Sequence, residues 1–168
     1  MTPSPKITLA QIPLSGLFDI ALEALLAEFR TELEAAGYAD LRPTHGCIFR
    51  FVREDGMRLT DLATLAGMTK QSVGEIVDDL VARGYVERIP DPADRRAKLI
   101  SLTEKGEQAQ RVGFGLFAKI ESRWADRYGP DRLAATRELL EEIAATEAPH
   151  LVPELSQAAQ SSRLATAS

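Results

Sequence analysis

The chain has 168 residues, 45% of them hydrophobic, which is enough for the core of one domain of ordinary size. Its apolar runs stay below the roughly 18 residues needed to cross a bilayer, and the first six residues lack the regions of a secretion signal. One cysteine forms no internal disulfide, and two histidines supply no metal-ligand cluster. We therefore expect a soluble cytoplasmic protein with no structural metal, no cofactor and no membrane partner.

Charge is spread unevenly along the chain. The net charge of −5 disfavours a DNA-binding protein if it is taken alone, because contacts to phosphate need cations. Between residues 57 and 106, however, eight basic side chains accompany eight acidic ones, so the whole deficit lies elsewhere. The total charge therefore neither supports nor excludes a nucleic-acid partner.

The N-terminal part has the apolar spacing of helices. One long amphipathic helix is predicted for residues 14–36, with Gly37 placed to end it. A second helix is predicted for residues 44–53, before a turn at Gly56. The residues expected on the inner side of this second helix are Cys47, Ile48, Phe51 and Val52.

Two short helices joined by a glycine turn are predicted next. Thr60 is expected to cap the first helix, and Gly67 to take the left-handed conformation of a tight turn. Thr69 is expected to cap the second helix, which ends at Gly84. The inward residues of that second helix are predicted to be Val73, Ile76, Val77, Leu80 and Val81.

The segments 85–89 and 97–102 are rich in β-branched and aromatic residues and flank a proline-containing loop, which predicts a β-hairpin. Thr103 is expected to cap a long helix that runs to Tyr128. Its expected apolar stripe is Phe117, Ile120, Trp124 and Tyr128. A last helix is predicted for residues 132–145. The fold class is therefore mainly α with a small β-hairpin.

Five short segments follow one another in a characteristic order over residues 58–106. They are Thr60-Asp61-Leu62-Ala63, Gly67-Met68-Thr69-Lys70-Gln71-Ser72-Val73, Leu80-Val81-Ala82-Arg83-Gly84-Tyr85-Val86-Glu87-Arg88, Asp91-Pro92-Ala93-Asp94-Arg95-Arg96 and Leu102-Thr103-Glu104-Lys105-Gly106. This block closely resembles the multiple-antibiotic-resistance regulator (MarR) family. The Asp-x-Arg segment followed by Leu-Thr-x-x-Gly is its most specific part.

The resemblance implies a winged helix-turn-helix lobe in a homodimer that reads double-stranded DNA at a palindromic operator. Members of the family commonly repress transcription and release DNA when a small, often aromatic or phenolic, molecule enters a pocket between the dimerisation helices and the lobe. Other members sense oxidants through cysteine, and the resemblance does not decide between the two. The organisation we expect is an N-terminal extension at 1–13, one MarR-type domain at 14–153 with its lobe at about 42–102 and dimerisation helices at about 14–36 and 104–153, and a disordered tail at 154–168.

The helix that begins after Thr69 carries the expected DNA contacts. Thr69, Lys70, Gln71 and Ser72 place donors at the positive end of its dipole. Gln71 suits a bidentate pair with adenine, Lys70 suits guanine or phosphate, and Ser72 suits phosphate. Glu75 is a weaker candidate that would accept from cytosine. A capped surface helix on any small α protein is the alternative for this segment.

The hairpin loop supplies the second set of expected contacts. Arg96 matches the family's minor-groove arginine, and Asp94 is expected to hold its guanidinium. Arg95 and Lys98 would contact phosphate. A narrow minor groove has a concentrated negative potential, which suits the planar arginine side chain. A solvated, charged hairpin tip is the alternative.

A cluster of mostly aromatic residues is a candidate effector pocket, with plain core packing as the preferred alternative. Its members are Phe18, Leu22, His45, Phe49, Phe114 and Phe117. For His45 we prefer a structural role. Gly113 and Gly115 lie inside a predicted helix, where each glycine lowers helix stability by roughly 1 kcal/mol relative to alanine. This cost suggests that the small residues serve a close dimer crossing or leave room for a ligand.

Cys47 lies among apolar residues, so core packing is preferred to a redox role. Arg50 at i+3 keeps a possible redox role for Cys47 open. The leading hypothesis is a dimeric, sequence-specific DNA-binding regulator, a repressor released by an effector. The alternatives are an oxidant sensor that uses Cys47 and a winged-helix protein-interaction module without DNA binding. An enzyme ranks last, because the sequence lacks a catalytic constellation.

Overall fold

The structure, a computed structural model, describes residues 8–53, 55–94 and 96–151. Arg95 and the predicted tail at 154–168 lie outside the described residues. The main elements are α1 Leu14–Ala35, α2 Gly46–Phe51, β1 Met57–Arg58, α3 Leu59–Leu65, α4 Lys70–Ala82, β2 Val86–Pro90, β3 Lys98–Leu102, α5 Glu104–Tyr128 and α6 Pro130–Glu147. The short 3-10 helices are Leu9–Gln11, Pro43–His45 and Pro149–Leu151. The mainly helical fold class is confirmed.

The hairpin belongs to an antiparallel sheet of three strands in the described residues, in the order β1-β3-β2. Val86 lies opposite Leu102 in the hairpin, and Met57 lies opposite Ile100 on the other side of β3. Strand β1 is not predicted from the sequence, because two residues are too short to show alternation. It attaches the start of α3 to the base of the hairpin.

The core of the lobe lies between the sheet and helices α2, α3 and α4. Its most deeply buried side chains are Ile48, Leu62, Val73, Val77, Leu80, Tyr85 and Ile100. The predicted inward position of Val81 is wrong, since this side chain is 37% exposed. One residue corresponds to about 100° around a helix, so Val81 lies at the edge of the stripe formed by Val73, Val77 and Leu80.

Two predicted helix starts have different outcomes. The predicted cap at Thr60 is wrong, because α3 begins at Leu59 with Arg58 as its N-cap, directly after β1. The predicted cap at Thr69 is confirmed, since its hydroxyl accepts from the Ser72 N–H at 3.1 Å. Gly67 has the expected left-handed φ of 62°. The second predicted helix, 44–53, is a 3-10 turn followed by the shorter α2.

The Leu-Thr-x-x-Gly segment fixes the start of α5 against the turn that precedes β2. The Thr103 hydroxyl accepts from the Gly106 N–H at 3.1 Å and donates to the Gly84 carbonyl at 2.7 Å. A Cβ atom on Gly106 would lie 2.0 Å from the Tyr85 carbonyl oxygen. Glycine is therefore needed at position 106 because the first turn of α5 touches main chain.

Helices α1 and α5 pack together outside the lobe. The rings of Phe29 and Phe117 stack at 4.1 Å between centroids, and Arg123 pairs with Glu28 and Glu32. In the predicted stripe of α5, Ile120 is buried. Phe117 and Trp124 are half-buried, and Tyr128 is 52% exposed.

No residue of α6, all of which the structure describes, is fully buried. The described helices include none that is long and apolar enough to cross a membrane.

Candidate nucleic-acid interface

The first turn of α4 presents polar groups at the surface of the lobe. Thr69, Lys70 and Gln71 are exposed, and Ser72 is half-buried. The hydroxyls of Thr69 and Ser72 lie 2.8 Å apart, in addition to the capping bond. Because this is the positive end of the helix dipole, the turn favours contact with anions such as phosphate.

Glu75 lies one turn farther along the same helix and binds Gln71. The Gln71 side-chain amide donates to the Glu75 carboxylate at 3.2 Å. This bond leaves the Gln71 carbonyl and one N–H for another partner, which is the combination that pairs with adenine. Glu75 therefore orients Gln71 in this structure, and its contact with cytosine stays a prediction.

The wing is the hairpin loop between β2 and β3. Arg96 and Lys98 are exposed there. Asp94 accepts from the main-chain N–H of Arg96 at 3.0 Å, whereas we expected it to hold the guanidinium. An aspartate in a turn reaches the N–H two residues ahead more easily than a long side chain on the same loop. Asp94 thus shapes the loop, and the Arg96 side chain extends from it.

An ion pair between the half-exposed Arg58 and the buried Asp91 braces the base of the wing, and it is not predicted from the sequence. The Asp91 side chain is 7% exposed. One of its carboxylate oxygens accepts from Arg58 Nε at 2.8 Å and Nη2 at 2.6 Å, and the other accepts from the Ala93 N–H at 2.8 Å. The Ala93 N–H and the Arg58 guanidinium hold the pKa of Asp91 below its usual range. The Asp-Pro pair at 91–92 is a turn signal that could have identified the bond from Ala93 to Asp91, but not the pairing with Arg58.

His45 is enclosed between the 3-10 helix and α4. The ring is 1% exposed. Its Nδ1 accepts from the Arg42 N–H at 3.0 Å, and its Nε2 lies 2.9 Å from Asp79 Oδ2. Burial lowers the pKa of His45, and Asp79 opposes that shift. Both ring nitrogens are occupied, which favours the structural role over contact with an effector.

The other candidate pocket residues have different surroundings in the described chain. Phe49 packs edge-on against Tyr85 at 5.9 Å. Phe117 stacks on Phe29, which we did not predict to be part of the cluster. The remaining members, each between 46% and 55% exposed, are Phe18, Leu22 and Phe114. A single chain therefore gathers only part of the cluster, around α1 and α5.

Cys47 has surroundings that disfavour a thiolate. Its side chain is half-buried and donates to the Thr44 carbonyl at 3.1 Å. Burial raises the pKa of the thiol. The Arg50 guanidinium lies over the Phe51 ring, 5.1 Å from its centroid. These contacts favour packing over a redox role.

Comparison with known proteins shows which family the sequence is similar to. Residues 39–97 match the model of the MarR family. PetP, an HTH-type transcriptional regulator of Rhodobacter capsulatus, is 34% identical over 101 residues, which are 60% of this chain and 60% of PetP. The chain thus spans about three fifths of the length of that relative. FarR, an HTH-type transcriptional regulator of Neisseria gonorrhoeae, is 29% identical over 76% of this chain and 86% of FarR.

Solved structures show the same architecture. The transcriptional repressor CouR, bound to a 23-mer DNA duplex, has a TM-score of 0.67 and 24% identity over 85% of this chain and 99% of CouR. PetP and FarR both carry the name of HTH-type transcriptional regulators, and neither name describes an enzyme. Residues 39–97 are thus similar to the MarR family, the curated relatives are HTH-type regulators, and the fold is that of the winged helix-turn-helix structures.

Proposed function

We propose that this protein is a homodimeric DNA-binding transcriptional regulator, a repressor that a small-molecule effector releases from a palindromic operator. The observation that carries the proposal is the exposed donor cluster at the start of α4, together with an arginine-bearing wing on the same lobe. PetP and FarR are transcriptional regulators, and CouR binds a DNA duplex. These relatives support the proposed function.

In the proposed complex, the start of α4 enters the major groove. Gln71 pairs with adenine while Glu75 orients its amide, and Lys70 contacts guanine or phosphate. Thr69 and Ser72 contact phosphate oxygens through their hydroxyls and through the helix terminus.

The wing reaches the adjacent minor groove in the same complex. Arg96 enters the groove, and Arg95 and Lys98 contact phosphate.

The terminal helices form the proposed dimer interface. They expose apolar side chains that a folded protein normally covers, namely Leu14, Phe18, Leu22, Phe114, Leu139, Leu140 and Ile143. Helix α6, fully described, buries none of its residues in the single chain. An amphipathic helix needs a partner for its apolar face, and a second copy would cover α1, α5 and α6 symmetrically.

The effector site is proposed for the space between α1, α5 and the lobe. Phe18 and Phe114 supply exposed aromatic surface there, on the two helices that carry the stacked rings of Phe29 and Phe117. A phenolic carboxylate that binds should raise the melting temperature of the protein and lower its affinity for DNA. If no member of an aromatic acid panel changes either quantity, the effector part of the proposal fails.

Selection of bound duplexes from a random library tests DNA recognition. The full chain should enrich a palindrome whose half-sites lie about one helical turn apart. Gln71→Ala should relax the choice at one base pair in each half-site, and Gln108→Ala, a change at an exposed glutamine of α5, should not. Failure to enrich any sequence, or identical profiles for Gln71→Ala and wild type, would contradict the proposal.

A further inference from the structure

The buried ring of His45 joins the start of α2 to the helix proposed to read DNA. It lies in the 3-10 helix Pro43–His45 and contacts Asp79, which lies 34 residues later in α4. Ser72, Glu75 and Asp79 follow one another at helical spacing and line one groove of about 290 Å³ with His45. A shift of α4 at Asp79 therefore moves the polar first turn as well.

The hydrogen bonds of the ring define its protonation state. Nδ1 accepts from the Arg42 N–H, so it carries no proton, and the proton on Nε2 is donated to Asp79. A second proton would have to sit on Nδ1, facing the Arg42 N–H donor. Protonation would thus remove the bond that satisfies the N–H of Arg42, the N-cap residue of the 3-10 helix.

The charged groups around the ring do not favour a cation strongly. Asp79 attracts a proton to the ring, but its carboxylate is shared with Arg83 at 3.0 Å and with Arg42 at 3.8 Å. Glu75 is the other charged group that lines the groove, and it is exposed. Enclosure of the ring opposes its charged form, and burial lowers the pKa of His45 despite Asp79.

We propose that His45 is a positioning residue for the DNA-reading helix: its ring ties the Arg42 N–H to Asp79 of α4, and only the neutral ring makes both bonds at once. The inference rests on the proposed function, because it assigns α4 to DNA. The folded-state pKa lies below the ordinary value of 6.5. The two bonds of the ring are therefore fully formed at pH 6.5 and above, and they are lost only as the pH falls through the lower folded-state pKa. DNA affinity should fall in the same range.

The test compares wild type with His45→Gln and His45→Leu as full chains. Glutamine at the third position of the turn can accept from the N-cap N–H and donate toward Asp79, and it does not titrate. Leucine leaves both partners unpaired. Fluorescence anisotropy with the selected duplex, at constant ionic strength, gives the dissociation constant at about pH 7.5 and about pH 4.5, well below the ordinary histidine range.

We expect wild type to lose about tenfold in affinity on acidification, as for one hydrogen bond to a charged group. His45→Gln should bind within about threefold of wild type near pH 7.5 and should lack this loss. His45→Leu should bind weakly at both values. Parallel pH profiles for wild type and His45→Gln, or wild-type binding by a folded His45→Leu, would overturn the proposal. If His45→Leu does not fold, the pH profiles of wild type and His45→Gln still test the proposal.

Two readouts on the protein alone separate this inference from the proposed function. Nitrogen NMR of the His45 ring should show the neutral Nε2–H tautomer near neutral pH, with titration below the ordinary range. Wild type should also lose more melting temperature than His45→Gln on acidification. A ring that titrates at the ordinary value would overturn the positioning role of His45 even if DNA binds. Absence of any DNA binding would instead overturn the proposed function, and these readouts would still test the two bonds of the ring.

Discussion

Gly106 shows how one residue type can be required by a main-chain contact. A Cβ atom at this position would approach the Tyr85 carbonyl oxygen to 2.0 Å, far inside van der Waals contact. The contact is to backbone, so no rotamer change relieves it. The last residue of the Leu-Thr-x-x-Gly segment therefore serves packing, and the threonine of that segment caps the helix.

Gly106→Ala should destabilise the protein by about 1–3 kcal/mol, the usual range for overpacking. Thermal denaturation measures the change. Gly74→Ala is a matched control, because a Cβ atom there meets only Leu59 at 3.8 Å and alanine is the better helix former. An unchanged melting temperature for Gly106→Ala would contradict the close approach of α5 to Tyr85.

Several residue roles could not be obtained from the sequence. Leu-Thr-x-x-Gly and the Thr69 cap are local, and both were predicted. By contrast, the pairs formed by His45 with Asp79 and by Arg58 with Asp91 join residues more than 30 positions apart. To recognise them requires knowledge of how the 3-10 helix Pro43–His45 packs against α4 and how β1 pairs with β3. Sequence spacing carries no information on either contact.

Among the elements, the wing depends on a brace that lies outside its own loop. Arg58 directly follows Met57 in β1, and β1 pairs with β3. The Arg58–Asp91 pair thus ties the loop to two strands at once. Since Arg96 is placed by the same loop, this brace should control the approach of the wing to DNA.

Asp91→Asn should weaken DNA binding about tenfold, a typical effect for one lost contact, and leave the lobe folded. The asparagine carbonyl can still accept from Ala93, but its amide then faces the Arg58 guanidinium. Anisotropy and thermal denaturation give the two quantities.

Glu107→Gln is the matched control for the brace, because it removes an exposed ion pair with Arg111 on α5. If Asp91→Asn binds as wild type does, the brace has no part in wing placement.

The elements were predicted from the sequence to within a few residues where periodicity is long. Helices α1, α4 and α5 and the two hairpin strands fall in this class. The wrong start of α3 and the missed strand β1 have the same cause. The two residues of β1 continue directly into α3, without a loop that would separate them in the sequence. Val81 is exposed because the rest of the lobe packs against the side of α4 that carries Val73, Val77 and Leu80.

At the scale of the whole molecule, the single chain leaves apolar side chains of α1, α5 and α6 exposed to solvent, although α1 and α5 pack against each other. The lobe has a closed core, whereas α6 in the described chain buries nothing. Long-range packing within one chain thus stabilises the lobe, and association would stabilise the helices. The sequence predicts the terminal helices themselves. The proposal that a second copy covers them is argued from their exposed apolar surface and from the symmetry of dimers.

Leu140→Glu should convert the dimer to a monomer, because it places a charge on the apolar surface of α6, where Leu140 is 42% exposed. Light scattering after gel filtration at micromolar concentration gives the mass. Val81→Glu, at a 37% exposed position on α4, should remain dimeric. A monomeric wild-type protein would refute the proposed assembly.

The salt dependence of DNA binding tests the central claim most directly. Binding by α4 and the wing should displace counterions, so the logarithm of the affinity should fall linearly with the logarithm of salt concentration, by about 0.9 for each phosphate contact. Lys98→Ala should reduce that slope by about two for a dimer and weaken all duplexes alike. A flat salt profile, or the same slope for wild type and Lys98→Ala, would contradict the account.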